Sequence, residues 1–280
     1  MAACSLSTLL PAALLWATEV GANTFPATVE VDLIFPRNET YAPSAIFPIV
    51  FAFQNAALVP SLNPVLDMLL WDSAGNDIMA DQPYINLQWN NFSSHDPTYV
   101  YTYVVGLDTD GVDGAAPASH ALNWGLTFAN CSNETGALVF AGGSRSTPVF
   151  FTIQSGAKQP DLVASTAGSS SCADISHFAF NLTGTLNVSF PAVYGGCNTC
   201  AVFSDGAQTL VAGNPCAARV NPDTASSILA ALTATACAAP RPVISCESTT
   251  SAPAKGWKTG YAGGFMAGVF LVAFVVARWS

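Results

Sequence analysis

Charge is scarce in this 280-residue chain: 9% of residues are Asp, Glu, Lys or Arg. The 8 Lys and Arg face 18 Asp and Glu, for a net charge of −10. No basic patch or basic run is visible, which argues against nucleic acid as a partner. Disorder driven by charge excess is equally disfavoured, because 51% of the residues are hydrophobic and can fill a sizeable core. Histidine is rarer still. His95, His120 and His177 are the only three, and none sits in an HExxH or GxSxG context. No cofactor is expected. Cysteine is absent between Cys4 and Cys131, so the first half of the chain has no disulfide within itself.

Long apolar runs are found at the two ends. Leu6 to Ala17 is too short to span a bilayer of about 30 Å and fits the core of a signal peptide over residues 1–22. Val20 and Ala22 give the small-x-small pattern of cleavage after Ala22. Residues 260–277 are apolar almost throughout and would extend about 27 Å as a helix, with Trp257 and Trp279 beside the interfaces. Two readings compete for this tail: a transmembrane helix, or the apolar part of a GPI-attachment signal after the small residues Ser248 to Ala252. In either case the membrane is a partner through the C-terminus. Gly260, Gly264 and Gly268 recur every four residues, a ladder that suits a helix dimer, although glycine is common in membrane helices generally.

A chain with a secretory leader enters an oxidising compartment. Cys131, Cys172, Cys197, Cys200, Cys216, Cys237 and Cys246 are therefore expected in disulfides, with one of the seven left over. Cys197-Asn198-Thr199-Cys200 is a CxxC, but the strand–helix context of a redox motif is missing around it. Six sequons mark expected surface glycans at Asn38, Asn91, Asn130, Asn133, Asn181 and Asn187.

Strand-like segments fill residues 23–158. VEVDLIF, Val29 to Phe35, alternates apolar and acidic residues at period two. Ala45 to Phe53 is a continuous apolar run of buried-strand length. Met68–Trp71, Tyr99–Val105, Leu122–Ala129, Leu138–Ala141 and Val149–Ile153 follow, separated by turn clusters. The pattern predicts a mainly β fold: an immunoglobulin-like β-sandwich followed by a smaller disulfide-stabilised β/α region over 159–246. Ser165 to Ser171 reads as the linker between them. Two strands are expected around Thr183-Gly184, and one helix over Pro222 to Thr235 with Asn221 as N-cap and Ile228, Leu229 and Leu232 on its apolar face. Residues 247–259 read as a Ser/Thr/Pro stalk, and 260–277 as an apolar helix.

Two clusters could carry chemistry. Asp108, Asp110 and Asp113 resemble a calcium loop, but Val112 stands where a ligand belongs and no Glu closes the loop, so an acidic turn competes. Tyr99, Tyr101 and Tyr103 alternate and so share one strand face; together with Trp71, Trp89, Trp124 and Tyr84 they form either a sugar-stacking platform or core. A secreted hydrolase would need two carboxylates converging in a cleft, which their sequence spacing does not reveal.

The stretch FPATVEVDLIFPRNETYAPSAIFPIVFAFQN, Phe25 to Asn55, resembles the opening of a family of secreted fungal proteins known only as a domain of unknown function. The resemblance extends over roughly residues 25–246. It implies an extracytoplasmic fungal protein and carries no catalytic residues. The expected role is non-enzymatic: structure, adhesion or ligand binding at the cell surface or wall, with cell-wall polysaccharide or another surface protein as partner.

Overall fold

A computed structural model describes residues 24–80, 84–85, 87, 90–92, 95–107, 116–131, 138–168, 172–188, 199–203 and 210–246, with the backbone alone for 130 and 138–145. The segments expected as signal, stalk and apolar helix, including Gly260, Gly264 and Gly268, lie outside the described residues. No helix among the described residues is long and apolar enough to cross a membrane. The chain divides into two units, Met1–Ser245 and Cys246–Ser280, and only Cys246 of the second is described.

Among the described residues, eleven strands build two sheets. In chain order they are β1 (Ala27–Phe35), β2 (Thr40–Tyr41), β3 (Phe47–Gln54), β4 (Val65–Trp71), β5 (Tyr84–Ile85), β6 (Thr98–Val104), β7 (Ala118–Cys131), β8 (Leu138–Arg145), β9 (Val149–Ile153), β10 (His177–Asn187) and β11 (Thr199–Phe203). The first sheet runs β11-β10-β1-β3-β6, and the second β2-β9-β7-β4-β5 with β8 beside β7. All pairs are antiparallel except β2 with β9. A single-turn helix α1 (Val59–Leu62) follows β3, and a longer helix α2 (Pro222–Ala238) comes last.

Period-two patterning explains the core. The inner face of the first sheet carries Val29, Val31 and Leu33 of β1, and Phe47, Ile49, Phe51 and Phe53 of β3, all buried. They meet Leu66, Met68 and Leu70 of β4 and Ala118, Leu122, Trp124, Leu126 and Phe128 of β7 in one core. Trp124 of β7 is fully buried at its centre, with ring centroids 5.2 Å from Phe51 and 4.5 Å from Phe178. Its indole N–H donates to Ser176 Oγ at 3.0 Å, so the polar edge of the ring has a partner. Phe47 stacks on Phe151 at 5.1 Å, and Phe128 meets Phe180 at 4.5 Å, again from opposite sheets.

The boundary expected at 158/159 does not separate two sheets. β10 hydrogen-bonds to β1 from Ala27↔Leu182 to Asp32↔His177, so the later segment supplies two strands of the first sheet. Ser165 and Thr166 are buried within a 3-10 turn, Ala164–Thr166, rather than exposed in a linker. Thr183-Gly184 is not a turn: β10 passes through it, with a register shift between Leu182 and Gly184 against β11. Glycine tolerates the irregular backbone of such a bulge.

Two disulfides tie the late segment down. Cys131–Cys200 joins β7 of one sheet to β11 of the other, and Cys172–Cys216 holds the segment that precedes α2. Cys237 and Cys246 are disulfide-bonded as well, and no described cysteine is free. Cys197 lies outside the described residues.

Candidate functional site

The outer face of the first sheet concentrates the unusual chemistry. Register places Asp32 beside Ala52 and His177, Ala52 beside Tyr99, and Glu30 beside Gln54. Facing residues of an antiparallel pair share a face. The acidic positions of VEVDLIF, which by alternation alone would face water, are therefore aligned with Gln54, Tyr99, Tyr101 and Tyr103. They do not face water. Glu30 is 4% exposed and Asp32 is 0% exposed.

A strap covers them. Residues 210–221 cross this face from β10 to β6. Leu210 bridges to Phe180, and the Val211 N–H donates to Ala179 O at 3.1 Å. The Asn214 N–H donates to Glu30 Oε2 at 2.7 Å, while Gln54 Nε2 donates both to Asp32 Oδ2 at 2.8 Å and to Asn214 O at 3.1 Å. Farther along, the Tyr99 hydroxyl donates to Arg219 O at 2.8 Å and the Val220 N–H donates to Thr166 Oγ1 at 3.1 Å. Gly213 makes the close approach possible. A Cβ there would lie 2.6 Å from His177 Cδ2 and 2.7 Å from Glu30 Cδ.

One oxygen of each carboxyl remains. Glu30 Oε1 and Asp32 Oδ1 are buried with no hydrogen-bond donor. A proton on Asp32 supplies the side-chain hydrogen bond between it and Glu30. Burial, then the charge of Glu30, pushes Asp32 up to about 8, against a lowering hydrogen bond from Gln54. Burial, with the charge of Asp32 behind it, pushes Tyr99 up to about 12.

Next to the strap, β6 and the start of α2 enclose a groove of about 810 Å³. Tyr99 and Tyr101 line it with Asn91, His95, Asp96 and Asp223. The helix begins there because Asn221 Oδ1 accepts from the Thr224 N–H at 2.8 Å and Pro222 fits the first turn. Ala225, Ile228, Leu232 and Ala236 form its buried stripe; Leu229, expected on that face, is 42% exposed. The helix packs against β6, and all three tyrosines are half-buried rather than exposed. Val100 and Val104 turn to the core, so the stripe does lie on the opposite face. Tyr103 is separated from the other two and lines a smaller hollow of about 300 Å³ at the far end of α2. Trp124 is core, and Trp89 lies outside the described residues.

The remaining expected sites disperse. Asn38, Asn91 and Asn187 are exposed and Asn181 is half-buried on β10; Asn130 lies on β7, and Asn133 lies outside the described residues. Asp108, Asp110 and Asp113 lie outside them too. Among the described residues no group of three or more His, Cys, Asp or Glu could hold a metal ion. Sequence reasoning missed Glu30 and Asp32. The only signal was two carboxylates in a strand otherwise rich in buried residue types, next to a sheet face with no exposed partner in sight.

Residues 24–246 match a family model described as a domain of unknown function (DUF7136), and the chain belongs to that family. No curated protein and no solved structure matches it.

Proposed function

We propose that this family member is an extracellular, membrane-anchored glycoprotein of the fungal cell surface with a non-enzymatic binding role, and that its groove beside α2 takes a segment of wall polysaccharide. The observation that carries this reading is the lining of the groove. Tyr101, half-buried, lines the groove, and His95, Asp96, Asn91 and Asp223 surround it with donors and acceptors. A flat apolar face edged by hydrogen-bonding groups matches a pyranose ring, which has C–H faces and hydroxyl edges. The disulfides are consistent with an extracellular location. In this reading the two sheets form an immunoglobulin-like sandwich that acts as a rigid support.

The purified protein is tested for retention on insoluble chitin and β-glucan, beside Tyr101→Ala. Retention by the parent and its loss in the variant are expected. If the parent is not retained on either polymer, polysaccharide binding is refuted for both and the groove is left for a protein partner.

Hydrolysis is the second reading, favoured by one observation: Asp96 and Asp223 both line the groove. It requires release of reducing ends from β-glucan oligosaccharides, abolished in Asp223→Asn.

A further inference from the structure

We infer that Glu30 and Asp32 form a proton-dependent latch that holds the strap 210–221 against the first sheet and thereby sets the shape of the groove. The geometry is specific. Each carboxyl spends one oxygen on the strap system: Glu30 Oε2 on the Asn214 N–H, and Asp32 Oδ2 on Gln54, which in turn holds Asn214 O. The other oxygen of each is buried and receives no hydrogen-bond donor. Gly213 leaves no room for a side chain between strap and carboxylates, so the strap is either seated or lifted. The same strap delivers Arg219 and Asn221 to the groove and leads into α2.

Closed, Asp32 retains a proton. Lifted into water, its carboxyl returns to ordinary behaviour and releases it. The closed strap therefore binds one more proton than the lifted strap between about pH 4 and about 8, and alkalisation favours lifting, by up to about tenfold per pH unit, until closed Asp32 also ionises. Other titratable groups face the pair. His177 lies beside Asp32 on β10, with Nδ1 2.9 Å from Ile175 O, and Tyr99 lies on β6 with its hydroxyl on Arg219 O. Gln54 on β3 is neutral, and Arg219 belongs to the groove end of the strap. Insofar as it concerns ligand release, the latch rests on the groove being a binding site: a ligand is held in acid and released toward pH 8.

Amide hydrogen exchange of the full chain tests the latch without a ligand, so its failure leaves the groove reading standing, and failed polysaccharide retention leaves the latch standing. After correction for intrinsic exchange, protection at Asn214 should fall by up to about tenfold per pH unit between pH 5 and 8 and stay well below that of β3 at every pH, because the strap lifts without the sheet unfolding. Asp32→Asn, whose amide can donate to Glu30 Oε1, should abolish that slope, and His177→Gln should keep it. Protection at Asn214 that does not change with pH in the parent overturns the latch without recourse to any variant. So does a slope that survives Asp32→Asn or disappears in His177→Gln.

Discussion

Replacing Cys131 and Cys200 together by alanine should cost the fold about 4 kcal/mol. The bridge closes a loop with a sequence separation of 69 residues. In the chain-entropy account, a loop of that size lowers the entropy of the unfolded chain by the equivalent of about 4 kcal/mol at 25 °C. The second bridge does not substitute for the first. Cys172–Cys216 is interleaved with it, so the shortest path from Cys131 to Cys200 through that bridge still runs over roughly 57 residues, and loop entropy depends only logarithmically on length. Both sulfurs are also buried, and their removal leaves a small void costing on the order of 1 kcal/mol more. For a domain of this size the melting midpoint should drop by about 10 °C. Urea unfolding followed by tryptophan fluorescence reads the change, with Trp124 as the buried reporter. Cys131→Ala alone should lose nearly as much as the double variant, because either change removes the whole bond. A double variant within 1 kcal/mol of the parent, at an unchanged urea slope, would refute the reasoning: β7 and β11 would then be held by packing alone.

Two further predictions concern the parts of the fold that surround the site. Asp32→Asn should flatten the pH dependence of global stability. In the parent, native Asp32 keeps a proton that the unfolded chain gives up, so stability falls as pH rises from about 4 to about 8, with a limiting slope near 1.4 kcal/mol per unit; urea midpoints from pH 5 to 8 check it, and parallel curves for the two proteins would refute it. Trp124→Ala should destabilise by about 3–5 kcal/mol, since it removes the ring between Phe51 and Phe178 and strands Ser176 Oγ; thermal unfolding measures it.

Much of the sheet structure was legible in the sequence because its rules are local. Alternation marked β1, the continuous apolar run marked β3, and Asp72 to Asn76 marked the turn after β4, whereas Gly142-Gly143, a turn by type, runs inside β8. Asn221-Pro222 marked the start of α2, where a cap and a missing N–H both have an evident use. The joints were not legible. That His177–Asn187 pairs with Ala27–Phe35, some 150 residues earlier, depends on which edge of a sheet remains open, and no short pattern encodes that. Ser165 and Thr166 look like linker by type, yet Thr166 Oγ1 receives the Val220 N–H, so a distant partner decides its burial. The tyrosine stripe was legible as one face of β6. Its half-buried state was not, because the cover comes from α2.

Alternation says that Glu30 and Asp32 share a face, but not whether the face is wet; that is decided by Gly213 and Asn214, about 180 residues away. Burying two carboxylates costs several kcal/mol, and replacing buried charges by apolar residues is often neutral or stabilising elsewhere. Sheet stability alone gives no reason for such a pair on the covered face of a strand whose inner face is already filled by Val29, Val31 and Leu33. Specificity of docking gives one reason, since the strap seats only where Asn214 meets Glu30 and Gln54. Titration gives another, because of the groups on this face Asp32 is the one whose proton affinity burial shifts into the range near neutrality. The two reasons differ in consequence. A purely structural lock would open only when the sheet unfolds, leaving Asn214 as protected as β3, whereas a latch would open alone and lose its response to pH when Asp32 becomes asparagine.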